Sequence, residues 1–168
     1  MNDITAVCPG SFDPVTLGHL DIIIRASRLF SRVVVAVMCN DSKTPAFSLE
    51  DRVLMIQKVI DAYHLENVVV DASDELLADY ARKVGAKAIV KGLRAVSDFE
   101  YEFQMALTNK KLYPDADTVF LTTSAENMYL SSSLVKLLAV KDGDIHELVP
   151  PVIHDYIKKK FTRKDDQI

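Results

Sequence analysis

Five short apolar runs alternate along the chain with segments of helical spacing, and this alternation constrains the fold more than any single residue does. The runs are Ile4–Cys8, Val33–Cys39, Val68–Val70, Ala88–Val90 and Thr118–Leu121. They are rich in Val and Ile and are continuous rather than alternating, the pattern of strands covered on both faces. An amphipathic run from Leu20 to Phe30 predicts the first helix. Ser48 is a good N-cap for the second, with Asp51 in its first turn. Its apolar positions Val53, Leu54, Ile56, Val59, Ile60 and Tyr63 share a face. The third helix runs from about Glu75 to Val84 and stops at Gly85, a C′ residue in character. Ser97-Asp98-Phe99-Glu100 reads as a capping box opening the fourth, which runs toward Tyr113 before Pro114. The fifth opens at Ser131-Ser132-Ser133 and runs to about Val140, and a sixth follows Pro150-Pro151. Strand alternating with helix in this way predicts an α/β fold: a doubly wound, parallel, five-stranded sheet with helices on both faces.

Length and composition bound the rest. A chain of 168 residues is expected to form one domain, residues 1–168, with a sizeable core. No apolar run reaches membrane-spanning length, and no basic region precedes an apolar stretch at the N-terminus, so neither a membrane span nor a secretory signal is expected. Cys8 and Cys39 end apolar runs and form no C-x-x-C pair. They read as buried free thiols of a reducing, cytoplasmic setting. The net charge of −4 weighs against nucleic acid as a partner. The basic tail, about residues 158–168 with Lys158 to Lys160, Arg163 and Lys164, reads as a solvated helix end and terminus.

In doubly wound folds ligands bind outside the carboxyl ends of the strands, so the segments after the apolar runs carry the functional information. After the first comes Pro9-Gly10-Ser11-Phe12-Asp13-Pro14-Val15-Thr16-Leu17-Gly18-His19. A strand, a tight turn and a helix start make an anion site, because the first helical N–H groups have no partners of their own. Gly10 and Gly18 would let a phosphate approach the backbone. His19 in the first helical turn could donate to a phosphate oxygen. Taken as mere composition, such a segment is also ordinary punctuation in any α/β protein. After the second run comes a polar loop with Lys43; after the fourth, Lys91-Gly92-Leu93-Arg94; after the fifth, Thr122-Thr123-Ser124 and then the triple Ser. Lys43 alone could be a solvated loop lysine, Arg94 a loop cap, the serines mere N-caps. Lys91 ends an apolar run, where a charge needs a partner. Together they place three cations and a hydroxyl-rich helix start on one rim of an acidic protein.

Gly10-Ser11-Phe12-Asp13-Pro14-Val15-Thr16-Leu17-Gly18-His19 resembles the signature of the nucleotidyltransferase superfamily, kin in mechanism to the class I aminoacyl-tRNA synthetases. Lys91-Gly92-Leu93-Arg94-Ala95-Val96-Ser97-Asp98-Phe99-Glu100-Tyr101-Glu102 and Tyr129-Leu130-Ser131-Ser132-Ser133-Leu134-Val135-Lys136 resemble two segments of the bacterial phosphopantetheine adenylyltransferases. The resemblance runs in order from about Thr5 to Pro150 and implies a Rossmann-like nucleotidyltransferase fold. It implies transfer of AMP from ATP to 4′-phosphopantetheine, giving dephospho-coenzyme A and pyrophosphate in the penultimate step of coenzyme A biosynthesis. It implies an ATP site at Ser11, Phe12, His19, Gly92, Leu93, Arg94, Glu102, Asn127, Met128, Tyr129, Leu130, Ser131, Ser132 and Ser133, and an acceptor site at Ser11, Lys43, Leu77 and Lys91. It further implies Mg2+, with no protein ligand assigned to it, coenzyme A as an inhibitor, and a homohexamer. Lys91 stands where many members have Arg, a point charge in place of a bidentate fork, and Ser11 stands where many have Thr.

The implied reaction needs no protein nucleophile. A phosphate monoester with a second pKa of about 6 is largely dianionic at neutral pH and can attack the α-phosphorus directly. Positioning and charge stabilisation remain, with His19, Lys43 and Lys91 as the catalytic set. Two other readings stay open on the sequence. One is a nucleotidyltransferase acting on nicotinamide mononucleotide or an alcohol phosphate. The other is a non-catalytic nucleotide-binding domain of flavodoxin-like shape.

Overall fold

The structure, a computed structural model, describes residues 3–39 and 44–162. Five strands, β1 (Thr5–Gly10), β2 (Arg32–Met38), β3 (Val68–Ser73), β4 (Ala88–Leu93) and β5 (Asp117–Thr122), form one sheet in the order β3-β2-β1-β4-β5. Every pairing is parallel. The helices are α1 (Leu17–Leu29), α2 (Leu49–Ala62), α3 (Leu77–Lys83), α4 (Val96–Leu112), α5 (Ser132–Val140) and α6 (Pro151–Thr162), with a 3₁₀ turn at Ala125–Asn127.

Continuous apolar strands divide their side chains between two cores with a period of two. Ala6, Cys8, Val33, Val35, Val37, Ala88 and Val90 join the larger core with residues of α1, α2, α5 and α6. Val7, Val34, Ala36 and Ile89 join a smaller core with Ala78, Tyr80 and Ala81 of α3 and with Tyr113 after α4. The same alternation places Lys91 on the α3/α4 face and Gly92 on the α1 face. There an added Cβ on Gly92 would lie 2.9 Å from Ile22.

The sheet's order reverses at β1, the switch point where such folds bind ligands. Along β1 the register with β2 continues to Gly10↔Val37, but the register with β4 stops at Val7↔Ile89. Beyond Val7 the two central strands part, and a crevice opens between them.

Several boundaries differ from the sequence expectation. α1 begins at Leu17, not Leu20, because Thr16 caps it and His19 completes the box. β4 continues through Leu93, so Lys91 and Gly92 are strand residues rather than loop residues. α4 begins at Val96 with Ala95 as N-cap and no side-chain cap, so Ser97-Asp98-Phe99-Glu100 is not a capping box; Asp98 turns to Arg94 instead. Gly85 does sit past the end of α3 in the left-handed region, with φ 67°. Cys8 is buried as expected and Cys39 is exposed, so only one thiol is a core residue. The first part of the basic tail belongs to α6, where Lys158 pairs with Asp142; Arg163 and Lys164 lie outside the described residues. None of the described helices is long and apolar enough to cross a membrane.

Candidate active site

The crevice between β1 and β4 widens into a cavity of about 560 Å³, a size suited to a small-molecule ligand. Cys8, Pro9 and Gly10 of β1 form one wall, and Val90, Lys91 and Gly92 of β4 the other. Ser11, Phe12 and His19 close the end toward α1, and Leu130, Ser131 and Ser132 close it toward α5.

The loop after β1 is fixed by its own hydrogen bonds. The Thr16 backbone N–H donates to His19 Nδ1 at 3.0 Å, and the His19 N–H donates back to Thr16 Oγ1 at 3.3 Å. Because Nδ1 accepts, the neutral ring carries its proton on Nε2. Desolvation, and after it the Arg94 cation, lower the His19 pKa to about 4. At neutral pH His19 is therefore an uncharged donor. Phe12 packs edge-to-face on its ring, with centroids 5.1 Å apart. Phe12 reaches that position at a backbone φ of 47°, an uncommon conformation for a residue with a side chain. Gly10 leaves the space for it, since a Cβ there would lie 3.0 Å from the Phe12 ring. Gly10 thus makes room for the ring at the cleft wall. Asp13 ties the loop down from outside the cleft. Its carboxylate accepts from the Ala46 and Phe47 N–H groups at 3.0 and 2.9 Å and pairs with Lys136 at 2.7 Å.

The β4 side is held differently. Lys91 Nζ lies 3.3 Å from Glu102 Oε2, yet that buried oxygen accepts no hydrogen bond. Arg94 donates to the Leu130 carbonyl at 2.9 Å and lies 3.4 Å from Asp98. Both cations meet carboxylates in loose pairs that a phosphate could replace.

Of the residues expected at the site, the cleft brings together Ser11, Phe12, His19, Lys91, Gly92, Arg94, Glu102, Leu130, Ser131 and Ser132. Ser133 lines a second, adjoining cavity. Leu93, Asn127, Met128 and Tyr129 do not line the cleft; Asn127 bonds Ser124, and Met128 and Tyr129 are exposed. Leu77 opens α3 and packs against the smaller core rather than the cavity. Lys43 lies outside the described residues. The sequence reading missed Thr16, which sets the His19 tautomer, and it missed Tyr101 and Thr123, which line the cleft. A Ser/Thr-x-x-His start to the helix was the available signal for Thr16.

Magnesium is usually held by one or two carboxylates, substrate phosphates and its own waters. The cleft's carboxylates fit that pattern: Asp98 and Glu102 line it, and Glu102 Oε2 accepts no hydrogen bond. Among the described residues the one cluster with metal-ligand character, Asp144, His146 and His154, lines neither cavity.

Residues 7–137 match the cytidylyltransferase-like family. A phosphopantetheine adenylyltransferase of Alkaliphilus metalliredigens is 54% identical over 154 residues, which is 92% of this chain and 97% of the relative. One from a Synechococcus species is 55% identical over 157 residues, 93% and 97% of the two chains. Among solved structures, a nicotinic acid mononucleotide adenylyltransferase of Plasmodium falciparum complexed with NaAD superposes with a TM-score of 0.72 at 16% identity, covering 94% of this chain and 96% of that one. At that identity the likeness shows the fold alone.

Proposed function

We infer how this cleft works from one premise: the chain belongs to the phosphopantetheine adenylyltransferases of the cytidylyltransferase-like family. It transfers the adenylyl group of ATP to the phosphate of 4′-phosphopantetheine, giving dephospho-coenzyme A and pyrophosphate, the penultimate step of coenzyme A biosynthesis. The observation that carries the mechanism is the hydrogen bond from Thr16 to His19 Nδ1. It leaves a neutral ring whose one N–H, on Nε2, is available to the cleft.

In the proposed mechanism no side chain is a nucleophile. The acceptor phosphate, dianionic at neutral pH, forms a bond to the α-phosphorus as the bond to the bridging oxygen of pyrophosphate breaks. His19 Nε2–H donates to an α-phosphoryl oxygen and strengthens its bond as charge gathers there. Lys91 leaves Glu102 and holds the acceptor phosphate beside the α-phosphate despite their like charge; Lys43 shares this role. Arg94, already anchored on the Leu130 carbonyl, takes the pyrophosphate end of ATP together with the α5 start. When bound, Mg2+ neutralises charge on the phosphate oxygens; Asp98 and Glu102 are the residues that would hold it.

The remaining parts of this reading concern setting and assembly. The thiols of Cys8 and Cys39 are unpaired, which suits a reducing, cytoplasmic compartment. Phe99, Phe103 and Leu107 of α4 are exposed, an apolar row suited to burial against further copies in a homohexamer. Coenzyme A, which carries the product's moieties, is the proposed inhibitor.

The test is pyrophosphate release. With Mg2+, ATP and 4′-phosphopantetheine the protein should form dephospho-coenzyme A. Nicotinamide mononucleotide should be poorer by on the order of a hundredfold, since a cleft built for one acceptor leaves polar groups unpaired with another. Comparable turnover of both acceptors would sink the acceptor assignment.

A further inference from the structure

Among the described residues, Glu102 Oε2 and His154 Nε2 are the buried side-chain atoms that find no hydrogen-bond partner. The first belongs to the cleft. The second lies outside it, near the start of α6, and the mechanism gives it no work. A buried polar atom left unpaired is costly.

His154 is 12% exposed. Its Nδ1 lies 3.1 Å from Asp155 Oδ1. A carboxylate only accepts, so Nδ1 carries the proton and Nε2 presents a lone pair. The ring stacks on that of His146, with centroids 3.7 Å and planes 23° apart. His146 Nδ1 in turn sits 2.6 Å from Asp144 Oδ1, and the His146 backbone N–H donates to the same oxygen at 2.9 Å. That backbone bond, and after it the ring, lower the Asp144 pKa, so its carboxylate is an anion at neutral pH.

One ligand atom from each of Asp144, His146 and His154 lies within 4.8 Å of those of the other two. Two imidazoles and one carboxylate suit a divalent transition metal rather than Mg2+. Donors around a tetrahedral Zn2+, each bound at about 2.0–2.2 Å, stand roughly 3.3 Å apart. The three must therefore draw in by up to about 1.5 Å. Asp144 and His146 have room to move, at 79% and 69% exposure. His154 is the fixed member, and Asp155 stands behind it as a carboxylate stands behind a ligating histidine, setting tautomer and ring direction.

We propose that Asp144, His146 and His154 form a structural Zn2+ site, with water in the fourth position. The metal takes the place of the proton between His146 Nδ1 and Asp144 Oδ1. In the neutral ring that proton passes through solvent to Nε2, while His154 binds the metal through its Nε2 lone pair. Ile145, Leu148 and Val149, between the ligands, are buried in the larger core. The Leu148 carbonyl accepts the Leu17 N–H at 2.9 Å, at the start of α1 beside Thr16. A metal joining the 144–146 turn to α6 thus staples the segment on which the start of α1 rests. The ligands line neither cavity, so the site serves stability and not turnover.

Calorimetric titration and thermal unfolding of the untagged, chelator-stripped full chain with ZnCl2 alone test it, with no nucleotide or acceptor present. One Zn2+ should bind per chain. At about a hundred times its Kd, the unfolding midpoint should rise by roughly 5–10 °C. MgCl2 in large excess should neither raise the midpoint nor displace the zinc. His154→Gln and His146→Gln should each weaken zinc binding at least about tenfold, the loss that removal of even an outer partner brings, and abolish the rise. Should His154→Gln fail to fold by circular dichroism, His146→Gln, at an exposed position, carries the test. Unchanged zinc binding in the folded variants would put the metal on other side chains, Cys39 or His19 among them, and overturn the proposal. A wild type that binds no zinc, or that responds equally to Mg2+, would overturn it as well.

Discussion

The two walls of the crevice are built on opposite terms. On the β1 side, Thr16 and His19 satisfy each other, Phe12 packs on the His19 ring and Asp13 is tied to Ala46, Phe47 and Lys136, so the loop is fixed before any ligand binds. On the β4 side, Lys91 and Arg94 rest against Glu102 and Asp98 in pairs at 3.3 and 3.4 Å. In the proposed mechanism substrate phosphates replace those carboxylates. A preformed neutral donor acts on the transition state, whereas a cation that must exchange partners acts on binding. The β1 wall should therefore govern kcat and the β4 wall KM.

The sharpest break would come from His19→Ala. Losing a single preorganised donor costs about 3–4 kcal/mol, roughly 10²–10³ in kcat, with little change in KM for ATP. Steady-state kinetics beside circular dichroism would show it. A variant that kept kcat and lost only ATP affinity would place His19 with the binding groups and erase the contrast between the walls.

The second prediction concerns pH. The folded His19 pKa of about 4 lies below its ordinary 6.5. For such a group the unfolded chain takes up its proton first as pH falls. The neutral ring therefore costs nothing above about pH 6.5, and it destabilises the fold progressively as pH drops toward 4. Denaturant unfolding should show the wild type losing up to about 3 kcal/mol relative to His19→Ala between pH 7 and pH 4. Parallel pH curves for the two proteins would mean that His19 titrates normally. A nitrogen-detected spectrum should also report the Nε2–H tautomer.

How much of this the sequence disclosed differs between the walls for physical reasons. Apolar runs and caps are local, so strand order of appearance, the Ser48 and Ser131 N-caps and the Gly85 stop were all readable. The rim positions of His19, Lys91 and Arg94 followed from what each strand hands on. Partners distant in sequence were not readable. Arg52 reaches Ser11 across 41 residues and Lys136 reaches Asp13 across 123; nothing local marks either pair. Strand ends also misled: pairing with β5 carries β4 to Leu93, past the charge at Lys91 that looked like its end. The capping-box pattern at Ser97 failed because α4 starts earlier, at Val96 with Ala95 as N-cap, which puts Ser97 inside the first turn.

On the β4 wall, Lys91→Ala should raise the KM for 4′-phosphopantetheine about tenfold to a hundredfold, the worth of a hydrogen bond to a charged group, and move the KM for ATP far less. Lys91→Arg should be tolerated, with its fork able to hold the phosphate in two bonds. Initial-rate measurements over both substrates separate the effects. An Ala variant with an unchanged acceptor KM would make Lys91 a mere counter-ion for Glu102.

The smallest expected effect comes from Glu102→Gln, and it asks what the carboxylate does while it waits. Glu102 Oε2 lies near Lys91 yet accepts no hydrogen bond in the structure. As a partly buried pair, Lys91 and Glu102 offset part of each other's desolvation cost but gain little beyond that. An acceptor phosphate must break the pair before it binds. Gln keeps the shape and removes the charge, so Lys91 should meet the phosphate without that competition. The acceptor KM should then fall a few-fold, on the order of 1 kcal/mol, the scale of a weak ion pair. If Glu102 instead contacts the nucleotide, as the sequence resemblance implies, or its Mg2+, the KM for ATP should rise and the acceptor KM should stay put. The two outcomes move different constants in opposite directions, so one kinetic series decides between a placeholder on the β4 wall and a nucleotide ligand.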